Sequence, residues 1–211
     1  MSEQKKIRAL FYITPKFKWK YIVNWLISIW TWCRYSHVEL QTPDENGVFT
    51  ELMERWVPAI DVRGNADTTG HVKQCERKLF GRGTCYSSTM RGDDNGTRKA
   101  DAALVLKHPE NWDYIEIPVT DEQYKVLIWW LEQKVAANKG YAKRDIWKFV
   151  IGGIHKPDDE RDICSELGNN GLVIIFKILG FGIVKPKKLY KKLITEGYTV
   201  KTLIRKEKKD E

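Results

Sequence analysis

Two side chains far apart in the chain carry the most chemical potential, Cys164 and His37. Cys164 lies in RDICSELGNNGLVIIFKILG, where Asp162 reads as a helix N-cap followed three residues later by Ser165. That places the thiol in the first helical turn, where unpaired N–H groups and the positive end of the helix dipole favour a thiolate. The same N–H groups can hold an oxyanion. A free cysteine is also commonly a small buried hydrophobe, and local context leaves both readings standing. His37 sits in YSHVEL, a short strand whose alternation puts His37 and Glu39 on one face and Val38 on the other. A cysteine nucleophile needs an imidazole within hydrogen-bond reach, and the imidazole needs an orienting acceptor. Taken alone, His37 reads as a satisfied structural histidine; beside Cys164 it becomes a candidate base.

The elements that must bring these residues together are legible in part. Ile7–Thr14 alternates as a strand and Pro15 ends it; Lys18–Trp32 has helical spacing through Trp25, Ile29 and Trp32. Ser36–Gln41 is a strand, PDENG at 43–47 a turn, and Val48–Leu52 a possible return strand. Residues 53–83 show no sustained period and read as an insertion on a smaller scaffold. Thr84–Thr89 and Tyr114–Val119 read as strands, with the loop RGDDNGTR between them. The clearest helix is Asp121–Asn138. Thr120 and Gln123 form a capping box, and Tyr124, Leu127, Ile128, Leu131 and Val135 form an apolar stripe. Further helices are expected over Arg144–Ile151, Ile163–Leu179 and from Pro186 onward, the last docking through Leu189, Tyr190 and Leu193.

Composition narrows the class. The 211 residues are 42% hydrophobic and 30% charged, values of a globular domain, and nine tryptophans supply bulk for a core. Four cysteines without a CxxC pair do not make a disulfide scaffold and suit a reducing compartment. The N-terminal stretch lacks the pattern of an export signal. The apolar run Tyr21–Cys33 covers 13 residues, short of the roughly 20 a bilayer span needs, so no transmembrane segment is expected. That run places large apolar side chains (Trp25, Ile29, Trp30 and Trp32) directly before the His37 strand, where they would wall an apolar groove. The net charge of +8 is concentrated at the end: residues 185–209 hold ten Lys/Arg against Glu196 and Glu207. Such a segment suits weak contact with an anionic surface or nucleic acid, or simply keeps the chain in solution.

Other constellations are weaker. His71, Cys75 and Cys85 fall short of the four ligands structural zinc takes, and Asp93–Asp94 is flanked by turn residues without a graded calcium-loop spacing. Gly152–Gly153 and Gly168 match neither a phosphate loop nor a dinucleotide fingerprint. No metal and no cofactor is therefore expected.

Six segments in order, YSHVEL, CYSSTMRGDDNGTR, HPENWDYIEIPVTDEQ, KGYAKRDIWKF, ICSEL and KPKKLYKKL, resemble the circularly permuted NlpC-type papain-like cysteine hydrolases, the YiiX-like branch and its phage-encoded relatives most of all. The resemblance leaves 53–83 unmatched. It implies an α+β, circularly permuted papain-like fold, an antiparallel sheet packed against helices, with His preceding Cys. It further implies Cys164 as nucleophile, His37 as general base and then acid, and a third polar residue. Glu39, Ser87 and Glu51 compete for that place, Glu39 first because its facing does not depend on how 53–83 is threaded. The expected organisation is a single domain over 1–203 with the insertion at about 53–83, followed by a frayed basic tail at 204–211. The expected activity is hydrolysis or transfer of an amide, ester or thioester acyl group on a peptide or acyl-bearing substrate, in a host cytoplasm or a virion. The competing expectation is a catalytically silent binding or virion-associated module that uses its basic C-terminus on DNA or membrane.

Overall fold

From Ile7 onward every second residue of β1 (Lys5–Ile13) is apolar, and the alternate positions are mixed, so this strand can serve two different surfaces at once. It does. In the computed structural model, which describes residues 4–14, 34–58, 73–89, 96–137, 164–176 and 186–203, with side chains omitted at 53–58, 73–78, 164–166 and 175–176, β1 lies near the middle of a six-stranded sheet. Its other strands are β2 (Tyr35–Thr42), β5 (Thr84–Thr89), β6 (Gly96–Asp101), β7 (Trp112–Val119) and β8 (Val200–Thr202), in the order β6-β5-β2-β1-β7-β8. Every neighbouring pair is antiparallel. The fold is α+β, with a large antiparallel sheet.

Ile7, Ala9 and Phe11 of β1 join Val38, Leu40, Ile115, Ile117 and Val119 in a buried cluster on one face. Three helices cover that face: α2 (Asp121–Ala137), α3 (Cys164–Phe176) and α4 (Pro186–Thr195), which supply Leu127, Leu131, Leu167, Leu172, Leu189 and Leu193. The capping box at the head of α2 is formed as expected: Gln123 N–H donates to Thr120 Oγ1 at 3.2 Å, and Thr120 N–H donates to Gln123 Oε1 at 2.8 Å. Close seating of α3 depends on two glycines. A Cβ at Gly168 would lie 3.2 Å from Val38 Cγ1, and one at Gly171 would lie 3.0 Å from Leu40 Cδ1 and 3.1 Å from Leu127 Cδ1. The short helix α1 (Ala102–Val105) lies on the other face, where Ala102 and Leu106 cluster with Leu10, Cys85 and Trp112.

Two expectations change. Residues 53–83 are not irregular throughout, because β3 (Thr50–Pro58) and β4 (Lys73–Gly81) pair as a separate two-stranded sheet from Thr50↔Gly81 to Pro58↔Lys73. Charged and apolar residues are intermixed on both strands, so no face announces itself in sequence; cross-strand partners such as Glu54↔Arg77 and Leu52↔Leu79 match only once the strands are aligned. The last residues of RGDDNGTR are not loop either, since Gly96 opens β6, whose register against β5 includes Ser87↔Arg98. The helices expected at Lys18–Trp32 and Arg144–Ile151, the remainder of that loop, His71 and the tail 204–211 lie outside the described residues. Among the described residues, no helix is long and apolar enough to cross a membrane.

Candidate functional site

The helix expected over about Ile163–Leu179, with Cys164 in its first turn, is described over Cys164–Phe176. Gly168 rests on Val38 and Gly171 on Leu40, so α3 runs in the same direction as β2. Four residues of helix span about 6 Å, which carries the Cys164 backbone past Val38 toward the start of β2. His37 is the next residue along the strand in that direction, with its side chain on the opposite face. The side chain of Cys164 lies outside the described residues.

The start of β2 is irregular in a useful way. Tyr12 pairs with His37 and Ile13 with Tyr35, which leaves Ser36 as an extra residue. A bulge of this kind re-aims neighbouring side chains and is common beside active sites. Ser36 is buried, and among the described residues its Oγ has no hydrogen-bond partner. On the helix-covered side of this strand end, Tyr35 donates to Asp113 Oδ2 at 2.6 Å; Arg34 also donates to that carboxylate, and Thr202 Oγ1 donates to its other oxygen at 2.9 Å. Burial, reinforced by the bond to Asp113, pushes the Tyr35 hydroxyl far above its ordinary pKa, so it serves as a fixed donor.

His37 and Glu39 alternate with Val38 and Leu40, and they point to the face opposite α3. His37 Nε2 meets Glu39 Oε1 at 3.0 Å, and the imidazole stands edge-on to Trp112 with ring centroids 6.4 Å apart. Glu39 is 2% exposed. Burial raises its pKa, but the hydrogen bond and charge of His37, together with Arg98, outweigh burial and leave Glu39 below its ordinary value. Its second oxygen, Oε2, is buried without a hydrogen-bond partner among the described residues. A buried carboxylate beside a ring nitrogen fixes the tautomer and orientation of that ring and stabilises the imidazolium.

The three candidates for the orienting position fall in different places. Glu39 contacts His37. Ser87, on the neighbouring β5, is held by Arg98 Nε at 3.3 Å rather than by His37. Glu51 lies on β3 and pairs with Arg82, whose Nε donates at 2.7 Å, near the solvent. Arg98 itself is the residue that sequence reasoning missed: it sat in what looked like a loop, and only the pairing of β6 with β5 turns it toward Glu39. Cys85 is buried on the same face, its thiol pushed well up by burial and then by the Glu39 charge, which makes it a packing residue and a poor nucleophile or ligand.

An open depression of about 650 Å³ lies beyond Thr42, at the end of β2 away from His37. Two of its three acidic residues are committed to backbone: Asp44 accepts from the N–H groups of Asn46 and Val48, and Asp101 caps α1 through Ala103 N–H. No family model, curated protein or solved structure matches this chain.

Proposed function

We propose that the protein is a cysteine-dependent hydrolase or acyl-transfer enzyme with a circularly permuted papain-like arrangement, Cys164 as nucleophile and His37 as its base. One observation carries the reading: the helix that opens at Cys164 is seated on Val38, and the neighbouring His37 is oriented by a buried carboxylate, Glu39. In the proposed reaction, the Cys164 thiol gives its proton to His37, and the thiolate attacks the carbonyl carbon of an amide, ester or thioester. Backbone N–H groups in the first turn of α3 stabilise the tetrahedral oxyanion. Collapse expels the leaving group, which takes the proton from His37 and leaves a thioester on Cys164. Water then yields a proton to His37 and attacks the thioester; the acid product departs as the thiolate recovers the proton. Glu39 orients the ring throughout, and the chemistry calls for neither metal nor cofactor.

The substrate is a peptide or an acyl-bearing molecule, met in a cytoplasm or a virion. The lysines of α4, Lys187, Lys188, Lys191 and Lys192, add weak, salt-screened attraction to an anionic surface or nucleic acid. A catalytically silent binding module is the second reading. It is favoured by the facing of His37, whose imidazole lies on the opposite side of the sheet from the body of α3, so that any Cys164–His37 contact must pass around the bulged start of β2. An electrophilic thiol probe with peptide mapping decides between them. Labelling concentrated on Cys164 and abolished in Cys164→Ala supports the enzyme. Equal labelling of the two proteins overturns it.

A further inference from the structure

A single buried side chain, Gln41, grips the β3–β4 ribbon at its root. Phe49 immediately precedes β3 and Arg82 immediately follows β4, and Arg82 N–H donates to Phe49 O at 2.7 Å, which closes the ribbon where it leaves the sheet. Gln41 is fully buried on β2. Its Nε2 donates to both of those backbone carbonyls, to Phe49 O at 2.8 Å and to Arg82 O at 2.9 Å. One carboxamide thus commits both of its N–H bonds to the incoming and the outgoing chain of the ribbon.

The fit around this root is tight. A Cβ at Gly81 would collide with the Ala102 carbonyl of α1, and one at Gly83, whose φ is +77°, would collide with the Thr42 carbonyl at the end of β2. Arg8 adds a hold from β1: its guanidinium lies 4.4 Å from the Phe49 ring centroid and donates to Thr50 Oγ1 at 3.4 Å. Beyond the root, among the described residues, β3 and β4 pair as strands only with each other, from Thr50↔Gly81 to Pro58↔Lys73. The ribbon is therefore an arm whose attachment is concentrated at one end.

The grip is incompletely satisfied. Gln41 Oε1 is buried and has no hydrogen-bond partner among the described residues. An acceptor in that state gains a bond when water reaches it. Opening the root exchanges the two Nε2 bonds for bonds to water and supplies one to Oε1 as well. The closed and open arrangements are thus nearer in free energy than two buried hydrogen bonds alone would make them.

We infer that the Gln41 carboxamide is a latch: it holds the ribbon root closed, and its release lets the ribbon open locally while the six-stranded sheet stays folded. The depression of about 650 Å³ has Gly81, Arg82 and Gly83 in its wall, so its shape follows the latch. The inference uses neither Cys164 nor His37 and stands or falls apart from the proposed activity.

Amide hydrogen exchange, followed residue by residue by NMR, tests it. The reporter is the Arg82 amide, which closes the root, and the reference is the set of amides in Ile7–Phe11, at the middle of the sheet. Gln41→Met keeps the side-chain length and removes both donors. Arg82 exchange should then accelerate about ten- to a hundredfold, the scale of two lost hydrogen bonds, while Ile7–Phe11 stay within about twofold. An unchanged Arg82 rate overturns the latch. So does acceleration by the same factor at Ile7–Phe11, because Gln41 would then support the whole sheet and not the ribbon. Should Gln41→Met not fold, the original protein decides. In low denaturant its Arg82 amide should exchange at least about tenfold faster than Ile7–Phe11, through an opening that denaturant barely affects. Exchange of both through one common, denaturant-sensitive opening overturns the inference.

Discussion

The two faces of the six-stranded sheet are built by the same strands and follow opposite rules. The helix-covered face is apolar, closed by α2, α3 and α4, and at its edge Tyr35, Asp113 and Thr202 satisfy one another. The opposite face carries charge inside the structure: Arg8 paired with Glu116 and stacked between Phe49 and Tyr114, then Gln41, then Glu39 with His37 and Arg98. Burying a leucine-sized side chain contributes roughly 1.5–3 kcal/mol, while burying a polar group without partners costs about 1–3 kcal/mol. The first face is therefore where stability comes from, and the second is where side chains are held ready at some cost. Two buried acceptors without hydrogen-bond partners among the described residues, Glu39 Oε2 and Gln41 Oε1, lie on the second face.

That division can be broken most forcefully from the apolar side. Leu127 is fully buried against the sheet and α3, and Leu127→Ala should cost about 2–5 kcal/mol in denaturant unfolding while leaving the His37 titration midpoint in place. A smaller loss is expected from Asp113→Asn, roughly 1–3 kcal/mol, because the new amide turns a donor toward Tyr35 or Arg34; the same unfolding measurement reads it.

Acid should act on the polar face. The pKa of Glu39 is depressed in the folded state, as is that of Glu116, which burial raises but Arg8 and Lys201 lower further. A depressed carboxylate adds stability above its unfolded pKa, near 4.5, and that contribution is lost as pH falls through the folded value. Stability should therefore decline below about pH 4.5, and Glu39→Gln should flatten that decline; an unaltered acid limb in the variant would remove Glu39 from the explanation. The smallest effect belongs to Glu51→Gln. Its pairing with Arg82 is half-exposed, so a change under about 1 kcal/mol and unaltered thiol labelling are expected.

The legibility of the two faces differed for the same physical reason. The capping box of α2, its Leu127–Leu131 stripe and the alternation of β2 are local patterns, and the structure repeats them within a residue or two. Helix α3, described over Cys164–Phe176, falls within the expected Ile163–Leu179 because the change from charged residues to SELGNNGLVIIF is likewise local. The polar face depends on non-local pairing. GTRKAD has a single apolar residue to mark β6, so Arg98 could be placed beside Glu39 only after β5 had set its register. The bulge at Ser36 is equally invisible, since it exists only relative to β1. The β3–β4 ribbon was lost because mixed strands carry no period of their own.

The most direct test of the proposed site is the pH dependence of alkylation at Cys164, followed on its own peptide by mass spectrometry in the original protein and in His37→Gln. A thiolate supported by both a helix start and an imidazole should react with a midpoint well below the ordinary thiol value of about 8.5, and the midpoint should move up toward that value in His37→Gln. Superimposable curves for the two proteins would contradict the pairing of Cys164 with His37, and with it the proposed enzyme.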